Sequence, residues 1–237
     1  MSTRRVVAVL GAGGALGSAI VAKIASEPDT DLVVSDLREI ERPSGAEFVA
    51  ADVSDLAQVQ AVVDHAVARF GRLDVMISNA GVLAQNGRIH NLNAADWERS
   101  FQINVMGAVN AIHAAVGPMR SQGGGSIVLT ASVSGLTAWS HSAPYCVTKA
   151  AVIHLAKVAA VEYARDKIRV NTVCPGTFVS AMHRDLPQDA IDAIAAKHPL
   201  GLGQAEDLVG AYAYLASDAS KWTTGTSIVV DGGYSAP

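Results

Sequence analysis

The chain has 237 residues, half of them hydrophobic and 21 of them glycine, with 18 Lys and Arg against 22 Asp and Glu for a net charge of −4. That is apolar material for one sizeable core, with too little charge for intrinsic disorder and no basic block to hold a phosphate polymer. Its two cysteines, Cys146 and Cys174, provide neither a disulfide framework nor metal-ligand spacing, so secreted knots and zinc domains are excluded as well.

Arg4-Arg5 followed by an apolar run toward Ala25 has the outline of a signal peptide, but Gly11, Gly13, Gly14, Gly17 and Lys23 break it. The same residues read better as a strand over 6–10 and a helix over 15–26, joined by a glycine turn. Strands follow over 31–35 and 47–50. A helix over 55–70 places Leu56, Val59, Val63, Val67 and Phe70 on one face. Next come a strand over 73–78, one long helix over 94–119 opened by the cap-like Asn93, and a strand over 126–131. A helix over 143–165 and a strand over 168–173 continue the alternation. Two shorter helices, near 187–197 and 205–217, precede a last strand over 227–231. Seven mostly continuous apolar strands alternating with helices predict one domain, 1–237, built as a doubly wound parallel α/β sheet with helices on both faces. No stretch approaches ~18 uninterrupted apolar residues. A soluble, cytoplasmic protein is the expectation.

Gly11-Ala12-Gly13-Gly14-Ala15-Leu16-Gly17 lies between the first strand and its helix. Glycines there let backbone N–H groups close on a pyrophosphate at the positive end of the helix. The strict GxGxxG spacing is not met, because Leu16 holds the sixth place, and a nucleotide-free glycine turn is the alternative. Asp36 follows at the end of the second strand, 19 residues beyond Gly17. A carboxylate there accepts from ribose hydroxyls and repels a 2′-phosphate, which predicts NAD rather than NADP. Arg38 is the one cation near enough to oppose that reading; it sits among Glu39, Glu41 and Arg42, as a solvated loop residue would.

Tyr145 and Lys149 are four residues apart near the start of the helix over 143–165 and so share a face. A tyrosine with an ordinary pKa of ~10 is a poor base at neutral pH. A lysine cation one turn away, with an oxidised nicotinamide, would lower it enough for proton exchange with an alcohol or carbonyl. Ser132, at the end of the fifth strand, could donate to the same substrate oxygen.

With these features in place, the chain resembles the short-chain dehydrogenase/reductase family over essentially its whole length. The TGxxx[AG]xG turn of that family corresponds to Leu10 through Gly17, with Gly11, Ala15 and Gly17 in the key places. Its acidic adenine contact corresponds to Asp52-Val53 and its NAG segment to Asn79-Ala80-Gly81. The Asn–Ser–Tyr–Lys tetrad falls on Asn104, Ser132, Tyr145 and Lys149, and the PG segment on Pro175-Gly176. Ser180 stands where a threonine often meets the nicotinamide carboxamide, and Asp231-Gly232-Gly233 matches the closing signature. The resemblance implies cofactor contacts at Gly13, Leu16, Leu37 and Phe178 too, a ribose contact for Lys149, and a water-anchoring role for Asn104. Leu10 departs from the family's threonine, a packing substitution expected to leave cofactor binding intact, and Thr148 replaces a serine. Only 16 positions separate Asp36 from Asp52, leaving little room for the usual helix. That shortening resembles some dihydrodiol dehydrogenases.

The expected activity is hydride transfer between NAD and a secondary alcohol or ketone, with Tyr145 as general acid/base. Dihydrodiol dehydrogenase and 3-oxoacyl reductase-like chemistry are alternatives within the family; a non-catalytic NAD sensor is the alternative outside it. Substrate walls are expected at 83–89 and 133–142 with a lid within 177–198, naming Leu83, Val133, Trp139, His141 and Met182. No metal, nucleic acid or membrane partner is expected. The two long helices and the last strand would build a homotetramer or homodimer, with Ala108, Ala111, Ala114, Ala115, Ala151, Ala159 and Ala160 suited to close packing. Trp97 and Phe101 read as core residues, Trp222 as scaffold beside the last strand, and Cys146 and Cys174 as small packed side chains. His65, His113 and His154 read as surface or interface groups.

Overall fold

The computed structural model describes residues 4–83, 85–180 and 187–236. Seven strands form one parallel sheet: β1 (Arg5–Leu10), β2 (Thr30–Ser35), β3 (Glu47–Phe48), β4 (Val75–Ser78), β5 (Gly125–Thr130), β6 (Ile168–Pro175) and β7 (Ser227–Val230). Parallel neighbours cannot be joined by a hairpin, so each connection crosses a face of the sheet, mostly through a helix. These are α1 (Ala15–Ala25), α2 (Leu56–Phe70), α3 (Ala94–Ser100), α4 (Gly107–Ser121), α5 (Ala143–Tyr163), α6 (Gln188–Ala195) and α7 (Ala205–Leu215). The strand order is β3-β2-β1-β4-β5-β6-β7. It reverses between β1 and β4, which opens a crevice at the carboxyl ends of those strands.

The alternation of β1 shows how the sheet is buried twice. Val6, Ala8 and Leu10 join the core under α2, α4 and α5, while Val7 and Val9 join the one under α1 and α7. Continuous apolar strands are thereby satisfied on both faces. α2 is capped at Asp55, whose side chain accepts from the Ala57 and Gln58 amides, and ends at Gly71 in the left-handed conformation. A hydrogen bond from the Gln58 side chain, together with those from the two amides, holds the Asp55 carboxyl below its ordinary pKa.

Several expectations are corrected. The long helix over 94–119 is divided by a π-helical stretch, Phe101–Met106, between α3 and α4. An apolar periodicity averaged over many turns does not register one widened turn. Strand β3 shrinks to two residues, and the connection over 37–46 carries no helix, as the short spacing requires. Trp97 and Phe101 belong to neither core; Phe101 is 37% exposed, because α2, α4 and α5 already fill that layer. Trp222 stands 97% exposed rather than packed as scaffold. Leu56 also lies outside the core, while Val67 and Phe70 pack against it. Of the alanines suited to close helix packing, in an assembly or in the chain's own core alike, Ala108, Ala111, Ala114, Ala115, Ala159 and Ala160 are in the core. α5 with its terminal turn is long and apolar enough to cross a membrane, but Val152, Ile153, Ala156, Ala159 and Ala160 seat it on the sheet.

Candidate active site

The glycine turn sits at the reversal point. Gly11 and Ala12 donate their amides to the Ser35 carbonyl at 2.9 and 3.0 Å, which ties the turn to β2. Gly11 has φ +75°, and a β-carbon on it would lie 2.6 Å from the Ala80 backbone, so no side chain fits. A β-carbon on Gly17 would strike the Gly11 carbonyl, so α1 can approach the turn only at glycine. α1 begins at Gly14 without a side-chain cap, leaving its first amides for an anion. Ala15 lies in this exposed first turn, whereas the Leu16 side chain is buried.

The Asn79-Ala80-Gly81 segment closes the other side. Asn79 donates its side-chain amide to the Gly11 carbonyl at 2.8 Å and its backbone amide to the Leu10 carbonyl at 3.0 Å. Leu10 itself is fully buried, so the tie that a threonine hydroxyl would supply is made by Asn79. Asp36 stands over the turn, accepting from the Gly13 amide and from the Leu37 amide, each at 2.8 Å. Leu37 is exposed beside it. Asp52 accepts from the amide and hydroxyl of Ser54 at 2.9 and 2.7 Å. Val53 is buried, with its carbonyl held by Asn110 at 2.8 Å.

The reactive side chains converge at the ends of β4 and β5. Lys149 is buried and donates to the Thr130 carbonyl at 2.8 Å, with its nitrogen 5.7 Å from the centre of the Tyr145 ring. Ser132 stands beside the Tyr145 phenol and accepts from the Ser134 amide at 3.1 Å. A β-carbon on Gly81 would meet the Lys149 nitrogen at 3.1 Å and the Asn104 oxygen at 3.3 Å, so glycine there keeps the approach open. Asn104 lies in the π-helical stretch. Its amide group exchanges hydrogen bonds with the backbone of Val82 at 2.8 and 3.0 Å and donates to Thr148 at 3.0 Å. Its side chain is therefore a clamp between the Gly81 segment and α5.

The electrostatics depart from expectation. Burial pushes the Tyr145 phenol above its ordinary value, against the opposing hydrogen bond from Ser132. Burial also lowers the Lys149 ammonium to about 8. Desolvation disfavours the charged form of each.

Pro175-Gly176 ends β6. A β-carbon on Gly176 would lie 2.6 Å from the Asp231 backbone, so the closing Asp231-Gly232-Gly233 segment packs directly on this loop. Phe178 packs against the α1/α7 core, and Ser180 is the last described residue before 187. A cavity of about 370 Å³ lies beside them, lined in part by Gly176, Thr177, Phe178 and Asp231. A larger one, about 820 Å³, includes Arg5, Arg72, Arg169 and Trp222 among its walls, at the amino-terminal end of the strands. Of the expected substrate contacts, Leu83 is 51% exposed and His141 is exposed with φ +67°. Trp139 lies against Tyr145, its ring centre 6.3 Å away. Val133 is fully buried beneath the turn and cannot line the cleft. Met182 falls outside the described residues.

Other contributors, apart from Thr148 in the Tyr145–Lys149 motif, were not singled out from the sequence. Thr130 bonds to Asn79 at 3.1 Å and Tyr212 at 2.8 Å while its carbonyl holds Lys149; Asn110, Thr148, His198 and Tyr234 also brace the site. Their residue types are ordinary, and only the crossing of distant segments makes them partners. Among the described residues no cluster of His, Cys, Asp and Glu is arranged to hold a metal.

A glycine turn and uncapped helix at the reversal point of a parallel sheet, facing a Ser–Tyr–Lys set, define a nicotinamide-dinucleotide oxidoreductase domain of the Rossmann type. A family model described as enoyl-(acyl carrier protein) reductase matches residues 16–235, and the chain belongs to the short-chain dehydrogenase/reductase family. It is 36% identical to the cis-4-hydroxycyclohexanecarboxylate dehydrogenase of Sinomonas cyclohexanicum over 98% of this chain and 97% of that one. It is 35% identical to an NADP-dependent mannitol dehydrogenase of Hypocrea jecorina over 97% and 92% of the two chains. The crystal structure of levodione reductase superposes with a TM-score of 0.90 at 31% identity, covering 98% of each chain.

Proposed function

We propose that this chain moves hydride between NAD and a ring-bearing secondary alcohol or ketone, with Tyr145 exchanging the hydroxyl proton. The observation that carries this reading is buried Lys149, tied to the Thr130 carbonyl with its nitrogen 5.7 Å from the centre of the Tyr145 ring, beside the glycine turn. Gly11, Gly13, Ala15, Leu16 and Gly17 would hold the pyrophosphate, Asp36 and Leu37 the adenosine ribose, and Asp52 and Val53 the adenine. Asn79, Ala80, Gly81, Pro175, Gly176, Phe178 and Ser180 would flank the nicotinamide half. The bound nicotinamide supplies the hydride donor or acceptor. Ser132 would donate to the substrate oxygen while Tyr145 gives or takes the proton, and Lys149 would hold ribose hydroxyls and stabilise the phenolate. The Sinomonas relative, named for a hydroxylated six-membered ring, supports a cyclic substrate.

The charge of Asp36 is the reason for choosing NAD, although the Hypocrea relative is named as NADP-dependent. Asp36→Ala should raise the ratio of kcat/KM for NADP over NAD about a hundredfold, because it removes a carboxylate from the place a 2′-phosphate would occupy. A wild-type preference for NADP would overturn this choice.

The assembly belongs to the same reading. Val147, Val158 and Val161 on α5 are 45%, 42% and 80% exposed, an apolar stripe on the face opposite the core. A homotetramer or homodimer would cover it. The double variant Val158→Asp/Val161→Asp should elute at half the wild-type mass or less in size-exclusion chromatography with light scattering. A monomeric wild type would refute the assembly.

A further inference from the structure

We propose that Thr130 is a positioning residue for the dinucleotide: its hydroxyl sets the Asn79 amide, which holds the glycine turn, so cofactor affinity depends on a side chain two strands away from that turn. The inference rests on the reading of the glycine turn as the pyrophosphate site. The parallel register of β4 and β5 pairs Ser78 with Leu129, which sets Asn79 beside Thr130. Side chains alternate along β5. Leu129 enters the core under α2, α4 and α5, so Thr130 faces the α1/α7 side, where Tyr212 of α7 is fully buried. Thr130 is itself buried, with its hydroxyl oxygen 3.1 Å from the Asn79 amide oxygen and 2.8 Å from the Tyr212 phenol.

The chemistry of these groups gives the bonds one direction. The Gly11 carbonyl can only accept, so the Asn79 amide nitrogen is the end that meets it, at 2.8 Å. The Asn79 oxygen then faces Thr130 and takes its single hydroxyl proton. Tyr212 must therefore donate to Thr130. The order runs from Tyr212 through Thr130 and Asn79 to Gly11, each group donating to the next.

At the far end the peptide joining Gly11 and Ala12 is held twice, its carbonyl by Asn79 and its amide by the Ser35 carbonyl at 3.0 Å. That peptide leads into the uncapped first amides of α1, so its orientation aims the donors left for an anion. Leu10 gives Asn79 no polar side chain to lean on, and among the described residues Thr130 is the only donor to the Asn79 amide oxygen. Without the Thr130 hydroxyl the amide is free to turn, and the Gly11–Ala12 peptide keeps one tie of two. The Thr130 carbonyl meanwhile accepts from Lys149 at 2.8 Å, so the end of β5 serves the turn and the reactive lysine together.

Fluorescence titration with NADH and urea denaturation of the same variants test this. Thr130→Val keeps the shape of the side chain and deletes the hydroxyl. NADH should then bind about tenfold more weakly, and the unfolding midpoint should fall because the Tyr212 hydroxyl loses its acceptor. Thr130→Ser restores the donor and should return both. Tyr212→Phe leaves the Thr130 proton on Asn79 and should change NADH affinity less than about threefold. The double variant Thr130→Val/Tyr212→Phe removes the stranded phenol hydroxyl, so the midpoint should recover part of its loss while NADH binding stays about tenfold weak. Affinity that follows the midpoint across the set, or NADH binding unmoved in Thr130→Val, overturns the proposal and leaves the cofactor reading standing. A wild type that binds neither NADH nor NADPH overturns the cofactor reading, and the positioning role with it.

Discussion

Tyr145→Phe should reduce turnover at least about a thousandfold while leaving the cofactor bound, because it deletes one oxygen from a ring that otherwise stays in place. The phenol is the group beside Ser132 that would meet a substrate oxygen. Burial raises its pKa above the ordinary tyrosine value, so the chain alone does not make a phenolate at neutral pH. The charge that offsets this has to come from Lys149 and from the oxidised nicotinamide when bound. Alcohol oxidation should accordingly rise with pH as the phenol loses its proton, and Tyr145→Phe should abolish that rise. Cofactor affinity measured by fluorescence titration should change less than about fivefold, since a lost neutral hydrogen bond is worth roughly 1 kcal/mol. Near-wild-type rates in the variant would end the acid/base assignment.

Lys149→Met should do two opposite things. Activity should fall by about 10²–10⁴, the usual worth of a group that supports proton transfer. Stability should rise. The ammonium is buried and its pKa is lowered to about 8, from an ordinary value near 10.5 in the unfolded chain. Below pH 8 both states are charged and the folded state bears the full cost of burial. Between pH 8 and 10.5 the unfolded chain binds more protons, so wild-type stability climbs with pH through that window. The difference in pKa corresponds to about 3 kcal/mol, against which stands the hydrogen bond to the Thr130 carbonyl, worth about 1 kcal/mol. Urea denaturation at pH 7 should therefore find Lys149→Met more stable by about 2 kcal/mol, an advantage that shrinks toward pH 10. A variant that is inactive and also less stable at pH 7 would show that the lysine is held for structure. A charge kept at a stability cost is a mark of function.

The sequence by itself determined the layered architecture. Continuous apolar strands such as residues 6–10 and 126–130 demand cover on both faces, and alternation with helices demands parallel crossovers. It also determined the glycine turn, because Gly11 and Gly17 have spacing and context that only a close backbone approach explains. Tyr145 and Lys149 were legible for the same reason: their four-residue separation on one helix is local geometry. Where interactions are local, sequence distance is a sufficient guide.

What only the tertiary structure decided is long-range. The π-helical turn at Phe101–Met106 puts Asn104 between Val82 and Thr148, a clamp set by three segments meeting. Trp97, Phe101 and Trp222 have the composition of core residues, yet Trp97 is half-buried outside both cores and Phe101 and Trp222 are exposed, because other helices fill the interior. Depth of burial, which spacing does not encode, raises the Tyr145 pKa and lowers that of Lys149 in the chain alone. Tyr234 reaches Trp139 only because β7 returns the chain beside β6, and His198 meets Thr177 where the connection between β6 and α7 folds back on itself. Periodicity and spacing report on neighbours a few residues apart, whereas burial and the company a side chain keeps depend on segments that meet only when the sheet is assembled.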